Sequence, residues 1–193
     1  MDISIVRWLS TRFLSYSFVK LPIHLCYIYC SYQKMKQIVP NLIVFDLDNT
    51  LWPFHTDQCQ RPFQLHSPGI VMDFDGNKYE LFPEVIELLR KLKNKNYILA
   101  VASRIEDIPT AYQLLIYFNI LHFFTYIEVY PCKKTIHFQW LHLKSLLPYD
   151  QMIFYDDNIR NIQSVAKLGV RTYHVKNNKG ISLRHLQNMG IKL

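Results

Sequence analysis

From about residue 40 onward, short continuous apolar runs alternate with longer stretches whose apolar positions recur three and four apart. The first run, Leu42-Ile43-Val44-Phe45, has the length and β-branched, aromatic character of a strand buried on both faces. Strand-like runs follow at 97–102, 127–130, 152–155 and 170–175, and the stretches 83–92, 108–118, 135–147, 161–168 and 182–188 read as helices. Pro83 opens the first of these helices, with Glu84 and Glu87 in its first turn, where the missing N–H and the helix dipole favour them. Strand and helix in alternation predict a parallel sheet. The region between Thr50 and Pro83 departs from this rhythm: Asp75-Gly76-Asn77 separates two apolar runs, 70–74 and 78–82, and predicts a β-hairpin. The expected fold is α/β, a doubly wound parallel sheet with a small β-hairpin flap and too few residues for a cap domain.

Polar groups punctuate the places where strands meet helices. Asp46-Leu47-Asp48-Asn49-Thr50 follows the first strand, Ser103-Arg104 the second, Lys133-Lys134 the third, and Asp156-Asp157 the fourth. Each has an ordinary structural alternative: an Asx-type turn, a helix N-cap or a solvated charge. In an open parallel sheet, however, all four strand ends share one edge, and ligands bind where strand order reverses. Residues two apart on a strand point the same way, so Asp46 and Asp48 are expected in one crevice. Half-buried like charges are costly unless a cation or a shared proton relieves them, and Mg²⁺ favours carboxylate oxygens while keeping positions open for phosphate. An EF-hand is excluded, because the sixth position counted from Asp46 is Leu51 and the twelfth is Asp57.

Composition narrows the picture further. With 193 residues, half of them apolar, the chain suits one domain with a short appendage. The net charge of +7 is uneven: Arg7, Arg12, Lys20, Lys34 and Lys36 against Asp2 give residues 1–38 a charge of +4, leaving +3 for the rest. No basic stripe with interleaved aromatics argues for nucleic acid, and modest positive charge suits an anionic substrate. Cys26, Cys30, Cys59 and Cys132 form neither a CxxC pair nor a zinc spacing, which fits a reducing, cytoplasmic compartment. A cysteine-dependent phosphatase loop would place Arg six residues after its cysteine; here those positions are Tyr32, Lys36, Leu65 and Phe138. Residues 1–34 contain Arg and Ser, carry one acidic residue, and have no apolar run of ~18–20 residues. They read as a mitochondrial transit peptide, an interfacial anchor or a dispensable extension, with Met35 placed to begin a complete domain. The expected division is therefore 1–38 as an N-terminal extension and 39–193 as the folded domain.

The order Asp-x-Asp-x-Thr, Ser, Lys, Asp-Asp resembles the haloacid dehalogenase superfamily of phosphotransferases. More narrowly, Phe45-Asp46-Leu47-Asp48-Asn49-Thr50-Leu51-Trp52-Pro53-Phe54, Ala102-Ser103-Arg104, Tyr130-Pro131 with Lys134 and His137-Phe138, and Phe154-Tyr155-Asp156-Asp157 with Arg160-Asn161-Ile162 are similar to the eukaryotic magnesium-dependent phosphatases. The resemblance runs from about Leu42 to Leu186 and implies a phosphatase working through an aspartyl-phosphate. It implies Asp46 as nucleophile, Asp48 as general acid and base, and Mg²⁺ held by Asp46, the Asp48 carbonyl and Asp157 with Asp156 alongside. It also implies Leu47, Asp48, Thr50, Ser103, Arg104 and Lys134 around the phosphate and leaving group, with Lys133 the neighbour that could share the lysine's role. The implied substrates are phosphotyrosine in proteins or phosphorylated sugars such as fructosamine 6-phosphates, handled by a monomer without specific nucleic-acid or membrane partners. A catalytically inactive phospho-ligand module and a nucleic-acid end phosphatase are the alternatives.

Overall fold

The computed structural model describes residues 42–176 and 179–191, all within one compact unit, Pro40–Leu193. The expectations for residues 1–38 lie outside the described residues. Five strands, β1 (Leu42–Phe45), β5 (Ile98–Ser103), β6 (Tyr126–Val129), β7 (Met152–Asp156) and β8 (Arg171–His174), form a parallel sheet in the order β6-β5-β1-β7-β8. The helices are α1 (Val85–Asn94), α2 (Ile108–Tyr117), α3 (Lys134–Ser145), α4 (Ile159–Ala166) and α5 (Leu183–Asn188). The chain steps outward from β1 through β5 to β6, then crosses back to β7 and β8. Strand order therefore reverses at β1, and the crevice at the carboxyl ends of β1 and β7 is the topological switch point.

The unbroken apolar run of β1 has a simple cause. Ile43 and Phe45 face a core built with Val85, Leu88, Leu89 and Leu92 of α1 and Ala111, Leu114 and Leu115 of α2. Leu42 and Val44 face the other core, with Phe138 and Leu141 of α3 and Ile162 and Val165 of α4. Each fully buried side chain of this size contributes on the order of 1.5–3 kcal/mol. Among the described residues no helix is long and apolar enough to cross a membrane.

The flap is larger than the expected hairpin. Three antiparallel strands, β2 (Gln64–Ser67), β3 (Ile70–Met72) and β4 (Lys78–Tyr79), make a second sheet in the order β2-β3-β4. β2 escaped sequence reading because Gln64-Leu65-His66-Ser67 lies largely exposed and carries no apolar period. β3 and β4 are shorter than the expected 70–74 and 78–82, and β3 stops at Met72 because Asp73 ends the ladder on the turn side. Its carboxylate accepts bonds from Asp75 N (3.0 Å), Asn77 N (2.9 Å), Asn77 Nδ2 (3.0 Å) and Tyr79 Oη (2.8 Å). Tyr79 in turn packs edge-on against Phe54 and Phe63, fastening the flap to the domain.

Candidate active site

β1 ends one residue before Asp46, whose N–H still bonds the Tyr155 carbonyl at 2.9 Å and so holds the residue between β1 and β7. The chain then turns at once: Thr50 N and Leu51 N both donate to the Leu47 carbonyl, and Asn49 takes a left-handed φ of 54°, a conformation Asn tolerates. The turn is tied from outside by Ile181 N donating to the Thr50 carbonyl at 2.9 Å. Gly180 brings that segment in with φ +67°, and a Cβ there would overlap the Phe82 ring.

Asp156 closes β7 and is fully buried. It accepts from Asn158 N at 2.7 Å and from Asn161 Nδ2 at 3.0 and 3.2 Å. Lys134, the first residue of α3, is also buried. Its ammonium bonds Asp46 Oδ1 and the Ala102 carbonyl and lies 3.5 Å from Asp156 Oδ2. Lys133 precedes it at the exposed N-cap position, so only Lys134 enters the site. A buried cation with no partner would cost several kcal/mol, and the two carboxylates and the carbonyl offset that penalty. Asp46, Asp156 and Asp157 each place a carboxylate oxygen within 4.8 Å of the others. Burial, and then the charge of Asp46, pushes both Asp156 and Asp157 above the usual carboxylate range. Three crowded hard oxygen donors whose ionisation is opposed in this way suit a small divalent cation.

The Asp48 carboxylate lies outside that group of three yet close enough to Asp46 to feel its charge. Trp52 Nε1 (2.7 Å), Thr56 Oγ1 (2.7 Å) and Thr56 N (3.0 Å) donate to the Asp48 carboxylate. Burial raises its pKa to about 6, with Asp46 adding to the shift and the Thr56 and Trp52 bonds opposing it. His55, 54% exposed, stands 3.8 Å from Asp48 Oδ2 and within 3.0 Å of the Asn49 amide.

Ser103 ends β5 and is buried; its carbonyl accepts from Tyr130 N (3.2 Å) and lies 2.9 Å from His137 Nε2. Thr50 fixes the first loop through its carbonyl rather than its hydroxyl, which is buried and has no hydrogen-bond partner among the described residues. Leu47 points its side chain into the core and contributes only backbone to the loop. Arg104 lies exposed just beyond Ser103. The sequence assigned no site role to Thr56, Asn161, His137 or His174, and none to Trp52 as a partner of Asp48, yet these residues hold the others in place. Trp52, Asn161 and His137 did stand within the quoted motifs, whereas Thr56 and His174 carried no signal beyond their type. Trp52 and Phe54 stack on each other at 5.5 Å, with Trp52 fully buried.

A five-stranded 3-2-1-4-5 parallel sheet with paired acids and a buried lysine at its switch point defines the haloacid dehalogenase class of phosphotransferase. The acid phosphatase family profile matches residues 38–192. A human protein, magnesium-dependent phosphatase 1, is 44% identical over 149 residues, which cover 77% of this chain and 84% of the relative. A haloacid dehalogenase-like hydrolase superfamily protein of Schizosaccharomyces pombe is 34% identical over 143 residues, 68% of this chain and 83% of its own. In fold, the chain resembles the N-terminal part of BF1531 from Bacteroides fragilis, a phosphatase domain complexed with Mg. That match has a TM-score of 0.62 and 19% identity and covers 83% of this chain and 42% of that one. The chain belongs to the magnesium-dependent phosphatase family of the haloacid dehalogenase superfamily.

Proposed function

We propose that this protein is a Mg²⁺-dependent phosphomonoesterase in which Asp46 is the nucleophile and Asp48 the general acid and base. The observation that carries this reading is the division of labour between the two carboxylates. Asp46 sits against Lys134 among the crowded acids, whereas Asp48 is held apart by three donors with its pKa raised to about 6. An Asp46 oxygen attacks phosphorus, the ester P–O bond breaks, and Asp48 gives its proton to the departing oxygen, leaving an aspartyl-phosphate. Asp48, now ionised, takes a proton from water as that water attacks the same phosphorus, which releases phosphate and restores both residues. Asp46, Asp157 and the Asp48 carbonyl would hold Mg²⁺, with Asp156 alongside; the ion supplies positive charge that offsets repulsion between carboxylate and phosphate. Lys134 orients Asp46 and adds charge for the phosphoryl oxygens, and Ser103 and the Thr50–Leu47 loop supply hydrogen bonds.

A three-stranded flap of this size leaves the entrance open to a phosphate carried on a larger body. Phosphotyrosine on a protein surface and fructosamine 6-phosphates are the substrates inferred for it, acted on by a monomer. The test is turnover across a phosphotyrosine peptide, sugar phosphates and fructosamine 6-phosphate, with Mg²⁺ and after EDTA. Activity is expected only with Mg²⁺, and Asp46→Asn should lower it by about 10⁴-fold or more with an unchanged thermal midpoint. Turnover near the wild-type rate in that variant would overturn the covalent mechanism.

A further inference from the structure

Beside the edge strand β8 lies a cavity of about 440 Å³ walled by Thr172, Tyr173, His174, Lys176 and His185. The outer side of β8 has no strand neighbour among the described residues. The wall runs from mid-strand to Lys176, beyond the carboxyl end of β8, the same sheet edge that bears Asp46 and Asp156. It also touches the site directly, because His174 Nε2 lies 2.7 Å from the Asp157 carbonyl and must donate to it.

The chemistry of the wall has one sign. Among the described residues no carboxylate lines it, and Lys176 brings an ammonium. His185 Nδ1 accepts from Ser182 N at 3.1 Å, which leaves its proton on Nε2 as a donor. Tyr173 Oη accepts from Asn188 Nδ2 at 3.4 Å, so its own hydrogen remains to be given, as does that of Thr172. A cavity this large, rich in donors and without an anion among its described residues, has room for a carboxylate or phosphate together with the atoms that bear it.

We propose, resting on the phosphatase reading above, that this cavity is a second anion subsite, which receives a carboxylate or further phosphate on the leaving-group side of the substrate. Two probe pairs test it with the full chain: phosphotyrosine peptides flanked by Glu or by Gln, and fructose 1,6-bisphosphate against fructose 6-phosphate. In at least one pair the more anionic member should show kcat/KM about fivefold higher, carried by KM. That preference should vanish in Lys176→Ala and reverse in Lys176→Glu, while para-nitrophenyl phosphate keeps its wild-type parameters. A preference within the peptide pair identifies an acidic protein segment as the ligand, and one within the sugar pair a small polyanionic metabolite. No preference in either pair, or a preference that survives Lys176→Glu, overturns the subsite. Failure of the wild-type chain to hydrolyse any of the phosphates would instead overturn the phosphatase reading itself.

Discussion

Trp52 Nε1 and both donors of Thr56 converge on a carboxylate that must nevertheless carry a proton to serve as an acid. Donors favour the ionised form, burial and Asp46 favour the neutral one, and burial prevails. With Asp48 at about 6, its acid form is lost as pH rises through that value. The rate for a sugar phosphate, whose leaving alkoxide needs the proton, should therefore fall through a limb near pH 6. Asp48→Asn should remove the limb and slow that substrate by about 10²–10⁴-fold, with a smaller loss for an activated aryl phosphate. Equal losses for both substrates would argue against Asp48 as the acid. The sign for stability is the same. Between the ordinary value of 3.8 and about 6 the folded chain keeps a proton that the unfolded chain has released. This contribution is complete below the lower value and is lost as pH rises through the upper one, and thermal midpoints measured from pH 4 to 7 check it.

At the scale of elements, the site depends on how α3 and β6 are joined to β5. His137, one turn into α3, lies 2.9 Å from the Ser103 carbonyl, 3.1 Å from that of Tyr130 and 3.1 Å from that of Lys133, and its ring stacks on Tyr130. Burial first, and Lys134 beside it, lower its pKa, so the neutral ring has one N–H, given either from Nε2 to the Ser103 and Tyr130 carbonyls or from Nδ1 to that of Lys133. His137→Phe would keep the stacking and lose that bond. The expected cost is about 1–3 kcal/mol, seen as a lower thermal midpoint. Turnover should fall about tenfold, because Ser103 and Lys134 are both positioned through this side chain. A variant with a lower midpoint and unchanged kcat would confine His137 to stability.

At the scale of the molecule, every residue of the candidate site and both hydrophobic cores lie within Pro40–Leu193. β1 completes its pairing with β5 and β7 from Leu42 onward. A chain beginning at Met35 is therefore expected to keep the thermal midpoint and turnover of the full chain, with any change confined to where the protein resides in the cell. An insoluble or markedly slower truncated protein would place residues 1–34 in the functional unit.

The sequence alone determined the parallel α/β fold and the strand ends at which polar groups gather. Local periodicity reports which residues must be buried, and a run such as Leu42–Phe45 has no other use than a doubly covered strand. It also singled out Asp46, Ser103, Lys134, Asp156 and Asp157, since charged or hydroxyl residues at such junctions stand out against an apolar background. It did not find β2, whose exposed side chains leave no period, and it could not give the reason for Lys134 over Lys133: Lys134 opens α3 and is buried, whereas Lys133 stands before it at the exposed N-cap. The bonds that hold the site join residues far apart in the chain, such as Lys134 to Asp46, His137 to Ser103 and His174 to Asp157. Only the closing of the sheet brings those groups together, so only the tertiary structure could decide them.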